Sequence, residues 1–215
     1  MLDYAQARRN MLDGQIRTFD VTDRAVLTAF GEIPRERFMP PGREDLAYVD
    51  QTLAFRLREG GPTRVMLAPM VLARLIQALA IRPGDRVLDV GSGTGYSAAI
   101  LAALGALVTA LDEEGGPASN IPGVEHRAGP LADGAPDVGP FDAVLINAGV
   151  EVHPTTLLDQ LGDGGRLGCV QLEGRGGRTG RAVVYVRSGG LGAVPVFDAT
   201  APVVDEFRAE PGFRF

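Results

Sequence analysis

An α/β fold is expected from this sequence: a doubly wound, mostly parallel sheet with an antiparallel C-terminal hairpin and a helical N-terminal region. Three observations lead there. From residue 83 onward, short apolar runs alternate with helical patterns. One of those runs, Arg86–Val90, leads directly into Gly91-Ser92-Gly93-Thr94-Gly95 and then a helix. The last two runs, Arg181–Val186 and Ala193–Phe197, are separated by Gly189-Gly190 with no helix between them. Alternation of strand and helix implies parallel strands joined by crossovers, and a strand pair without a crossover reads as an antiparallel edge.

Residues 1–82 are read as the helical region and 83–215 as the core, packed as one structural unit. Tyr4, Ala7, Met11 and Ile16 lie near helical spacing, and Val26, Leu27 and Phe30 follow an expected N-cap at Thr22. Pro34, Pro40 and Pro41 divide this region into short pieces. Arg56–Thr63 is expected to be a loop because Gly60-Gly61-Pro62 disfavours regular structure. Pro69 suits the first position of the helix that follows. In the core, strands are expected at 86–90, 107–112, 124–127, 141–147 and 166–172, with helices at 96–104 and 153–161.

Composition narrows the function. Hydrophobic residues at 45% with 22% charged residues describe a globular chain, and 215 residues suffice for one sizeable core. A net charge of -6 argues against nucleic acid as a partner. All basic residues are arginine, which excludes Schiff-base and P-loop lysine chemistry. Cys169 is the sole cysteine, within the apolar run GRLGCVQL, and is expected to be buried and inert. His126 and His153 have no partners at metal-ligand spacing, so no metal is expected. The N-terminus lacks an apolar signal segment and no apolar run is long enough to span a bilayer, so the expected setting is cytoplasmic, away from membranes.

The glycine loop carries the chemistry. Glycines at the carboxyl end of a parallel strand allow a ligand to approach the backbone closely. A dinucleotide fingerprint would need a third glycine where Tyr96 stands, so a nicotinamide cofactor is disfavoured. Asp112 ends the next strand, 23 positions after Asp89 (112 − 89), where a carboxylate can accept hydrogen bonds from both hydroxyls of a ribose. Asp89 can meet a ligand's amino group or pin the loop. Asn147, after the apolar run FDAVLI, can contact ligand or cap a turn.

Gly91, Gly93 and Gly95, with Asp89 two positions ahead, resemble motif I of the class I methyltransferases, a Rossmann-like fold. Further blocks resemble protein-L-isoaspartate O-methyltransferases: Pro34-Arg35-Glu36 with Phe38, Ala47-Tyr48 with Asp50, Pro69 opening a helix before VLDVGSGTGY, Phe141-Asp142, and LLDQLGDGGRL. The resemblance implies S-adenosyl-L-methionine as cofactor, bound at Asp89, Gly91, Gly93, Gly95, Asp112, Asn147 and Leu131. It also implies protein repair, by methylation of a protein or peptide carboxylate. The departures are local. Leu67 stands where the family has its active-site serine, so no catalytic residue is assigned. Arg64 and Val65 replace a Gln and a Thr, and Arg64 is either a two-pronged contact to substrate carboxylate or a solvated loop residue. Gly129-Pro130-Leu131 replaces a G-D-G near the adenine, and GGPASNIPG shortens a crossover. Two alternatives stay open: a methyltransferase with another acceptor, such as a small molecule, and a cofactor-binding protein without isoaspartyl activity. Replacing Asp112 by Ala is expected to weaken the cofactor and leave folding intact.

Overall fold

The computed structural model describes residues 2–113, 121–174 and 176–210. Helix α1 (Tyr4–Met11) is capped by Asp3 and passes through a π turn and a 3-10 turn to Phe19. Helix α2 (Arg24–Glu32) starts one residue later than its sequence suggests, because the Asp23 carboxylate accepts from the Val26 amide at 3.0 Å. The Thr22 amide donates instead to Gln77 Oε1. Two short strands follow, β1 (Leu53–Arg56) and β2 (Thr63–Met66), paired antiparallel as a separate two-stranded sheet. The expected loop is thus the connection of a hairpin. Its apolar alternation is short, and the Gly-Gly-Pro turn masks it. Helix α3 (Pro69–Leu79) begins with Pro69, as its chemistry requires.

The main sheet is built from β3 (Arg86–Val90), β4 (Leu107–Asp112), β5 (Val124–Ala128), β6 (Phe141–Val150), β7 (Leu161–Leu172), β8 (Gly180–Arg187) and β9 (Leu191–Asp198). Their order is β5-β4-β3-β6-β7-β8-β9, parallel from β5 to β7 and antiparallel at β8 and β9. Chain order reverses at β3, whose neighbours are β4 and β6, and this is where open sheets leave a crevice at their carboxyl ends. Helix α4 (Tyr96–Ala103) follows the glycine loop and is buried along most of its length. Helix α5 (Thr155–Asp159) is shorter than expected, because residues from Leu161 onward extend β7. Strand β6 runs three residues past Asn147, carried by apolar Ala148 and Val150. The GGPASNIPG crossover falls largely on residues 114–120, outside those described.

One buried arginine fastens the N-terminal region to the core. Arg35 donates from Nε to the Ala47 carbonyl at 2.8 Å and from Nη2 to the Leu67 carbonyl at 2.9 Å. Its guanidinium lies 4.7 Å from the centroid of the Tyr96 ring. Beside it, the Tyr48 hydroxyl donates to Glu36, and burial together with that carboxylate pushes the phenol well above its ordinary range. Arg35 thereby sets the position of residue 67 relative to α4. Cys169 is buried on β7, with its thiol pushed up to about 12 by burial. Among the described residues no helix is long and apolar enough to cross a membrane, and no cluster of His, Cys, Asp or Glu could hold a metal.

Candidate functional site

The loop after β3 has the backbone that its glycines foretell. Gly91, Gly93 and Gly95 adopt φ of +68°, +55° and +86°, a region that side chains with a Cβ disfavour. Gly91 and Ser92 donate to the Leu111 carbonyl at 2.9 and 3.2 Å, which ties the loop to the end of β4. There the Asp112 carboxylate accepts from the amides of Gly93 at 3.0 Å and Glu113 at 2.8 Å.

Below the loop, Asp89 and Asn147 form a closed pair. Asn147 donates from Nδ2 to Asp89 Oδ1 at 2.7 Å and to the Val90 carbonyl at 3.2 Å. Ser97 donates to Asp89 Oδ2 at 2.7 Å. Burial raises the Asp89 carboxyl to about 7, against the hydrogen bonds from Ser97 and Asn147 that pull it down. Both oxygens are engaged, so in this arrangement the pair joins β3, β6 and α4.

Above the loop lies the β1–β2 hairpin. Phe55 and Arg64 are directly paired across it and therefore share a face. That face meets Gly93: a Cβ placed there would lie 3.3 Å from Phe55 Cζ and 3.5 Å from Arg64 Cβ. Arg64 Nε lies 2.8 and 2.9 Å from the two oxygens of Asp112. Its Nη2 is 3.6 Å from Glu113 and its Nη1 3.8 Å from Glu206, while Nη1 also donates to its neighbour's carbonyl at Thr63. Glu206 belongs to a C-terminal segment held on β6, where the Gly149 amide donates to Pro202 and the Glu151 amide to Phe207. Its carboxyl is raised by burial and by the adjacent Glu113. Leu131 covers the remaining side, with Cδ1 3.6 Å from a Cβ placed at Gly91.

These contacts bury the whole of Gly91–Gly95 beneath the chain's own side chains. The cavity between Phe55, Met66, Leu67, Thr94 and Asn147 measures about 10 Å³, whereas a site for a small ligand runs to about 300–1,000 Å³. The Asp112 carboxylate thus suits the hydroxyls of a ribose, whereas the space in this arrangement does not admit a nucleoside. A much larger opening, about 620 Å³, lies beyond residue 67 between Asp50, Thr52, Met70, Arg178 and Asp198. Leu67 lines the small cavity and Ala68 the open one, so this segment is the partition between them.

Two expectations need correction. Arg64 is not a solvated loop residue: it is 1% exposed and held by the chain's own carboxylates. Replacing Asp112 would accordingly leave a buried guanidinium without its main partner, so the fold cannot be indifferent to it. Phe55 and Glu206 went unread as members of the site. For Phe55 a signal existed, since LAFR and TRVM alternate in period two around a Gly-Gly-Pro turn.

The family model described as protein-L-isoaspartate(D-aspartate) O-methyltransferase matches residues 6–126 and 118–175. A protein-L-isoaspartate O-methyltransferase of Methylorubrum populi is 38% identical over 175 residues, covering 78% of this chain and 79% of the relative. One from Anaeromyxobacter is 38% identical over 171 residues, covering 74% and 68%. Among solved structures, a protein-L-isoaspartate O-methyltransferase superposes with a TM-score of 0.74 at 24% identity, over 91% of this chain and 65% of that one. A Plasmodium falciparum structure described as the same enzyme, in complex with S-adenosyl-L-homocysteine, gives 0.71 at 18% identity, over 96% and 100%. At such identities the structures establish the shared fold.

Proposed function

The chain belongs to the protein-L-isoaspartate(D-aspartate) O-methyltransferase family, and on that premise we propose that it methylates the carboxylate of an isoaspartyl residue in a protein or peptide. The observation that carries this reading is the positive-φ glycine loop at the switch point of the sheet, with the Asp112 carboxylate at its side. S-adenosylmethionine, the family's methyl donor, supplies a sulfonium-borne methyl group when bound.

The protein's own part is positioning. Asp112 offers two oxygens to ribose hydroxyls, and the glycines let a ligand lie against the backbone. Leu131 adds an apolar wall beside Gly91, where an adenine face fits. Asp89 and Asn147 hold the loop from beneath. No base is required on the acceptor side, because a carboxylate of ordinary pKa near 4 is already ionised at neutral pH. A leucine at position 67 is compatible with that chemistry, since nothing there has to remove a proton. The open cavity next to Ala68 is wide enough for a peptide segment, and its wall carries Arg178 and Arg181 beside Asp50, Glu173 and Asp198.

The test is transfer of a labelled methyl group from S-adenosylmethionine to an isoaspartyl peptide, with the aspartyl isomer as control. Label in the isoaspartyl peptide alone, released as methanol by mild base, is the expected result. Equal labelling of both peptides, or of neither, would refute the assignment.

A further inference from the structure

Arg64 and Phe55 lie where a cofactor's ribose and adjoining atoms belong, and they do so on an element outside the main sheet. The hairpin pairs only within itself and contributes no strand to the main sheet. Across its base the Ala68 amide donates to Thr52 Oγ1 at 3.0 Å. The neighbouring Leu67 carbonyl is anchored by Arg35. A swing about that base keeps the ladder of β1 and β2 intact and breaks the contacts of Phe55 and Arg64 together with those of Val65 and Met66, which are buried in the core. The face itself copies a ligand. The guanidinium Nε donates to both oxygens of Asp112, as two ribose hydroxyls would, and brings positive charge among Asp112, Glu113 and Glu206.

We propose that the β1–β2 hairpin is an intramolecular stand-in for the cofactor. Arg64 and Phe55 fill the nucleoside seat in the resting protein, and the hairpin must leave for S-adenosylmethionine to bind. This rests on the cofactor reading above. A closed state lowers apparent affinity in proportion to its population, so the substitutions that weaken closure strengthen binding. That is the reverse of what truncating a ligand contact does.

Two measurements with S-adenosylhomocysteine as the probe decide it. The first is amide hydrogen exchange of the wild-type protein, which needs no variant to fold. Saturation with the probe is expected to speed exchange of residues 53–66 while slowing that of 91–95. The second is calorimetric titration of wild type, Arg64→Gln and Phe55→Ala, each checked by circular dichroism. Affinity is expected to rise at least tenfold in a folded variant. Slower exchange of 53–66 on binding, or folded variants that bind more weakly than wild type, would overturn the proposal and make the hairpin a wall of the liganded site, with the cofactor reading intact. Absence of binding in wild type and both variants would instead overturn the cofactor reading, and the proposal with it.

Discussion

Replacing Asp112 by Asn keeps the side chain's shape and removes its charge, which isolates what the buried ion pair does. In the wild-type protein the carboxylate accepts both contacts from Arg64 Nε and the amides of Gly93 and Glu113. The asparagine retains one acceptor oxygen and turns an NH2 group toward a guanidinium that can only donate. Breaking one side of a buried pair is destabilising by about 3–5 kcal/mol. Glu113 and Glu206, at 3.6 and 3.8 Å, cushion the stranded arginine and place the expected loss near the lower end. For a chain of this size, about 3 kcal/mol corresponds to a fall in Tm of roughly 6–12 °C. Urea titration followed by circular dichroism measures it, and the double variant with Arg64→Gln supplies the coupling energy, expected to exceed about 2 kcal/mol. A loss below about 1 kcal/mol with no coupling would mean that Arg64 does not rest on Asp112 in solution.

Three further outcomes follow from particular contacts. Asp89 holds its proton up to about 7 in the folded state against 3.8 ordinarily. The stability it contributes is therefore complete below pH 4 and lost as pH rises through 7, by up to about 4 kcal/mol. Asp89→Asn should thus gain stability relative to wild type between pH 5 and 8, and a pH-independent difference in urea midpoints would contradict the assignment. Leu67→Ser, which restores the family's residue, removes a buried side chain and inserts a hydroxyl, so thermal melts should show a loss of about 2–5 kcal/mol. Gly149→Ala would set a Cβ 2.3 Å from the Ala201 carbonyl oxygen; limited proteolysis should then cut the segment after residue 199 faster than in wild type.

What the sequence made legible was whatever local chemistry decides alone. The bounds of β3 and β4 follow from apolar runs closed by a glycine loop and by Asp112. The β8–β9 edge follows from Gly189-Gly190, and the start of α3 from Pro69. The hairpin escaped because strands of four residues carry little periodicity and the Gly-Gly-Pro between them dominates the reading. Arg64 escaped for a different reason. Its partner lies 48 positions away, and nothing in either neighbourhood announces that the loop closes onto the end of β4. A charged residue beside an expected loop reads as solvated until the fold supplies its counter-charge.

On the proposal that the hairpin stands in for the cofactor, that long-range pairing lets one seat serve two occupants. Asp112 is buried, and a buried carboxylate needs donors in every state that it visits. In the closed state Arg64 provides them; in the open state ribose hydroxyls can, and the freed guanidinium returns to water, where it is well solvated. The losses on opening are the Arg64–Asp112 ion pair and the burial of Phe55, Val65 and Met66, about 1.5–3 kcal/mol for each such side chain. On that proposal position 64 is decisive: a neutral side chain there leaves Asp112 chiefly with its two amide donors until a nucleoside arrives, shifting the balance toward the ligand while leaving the glycine loop unaltered.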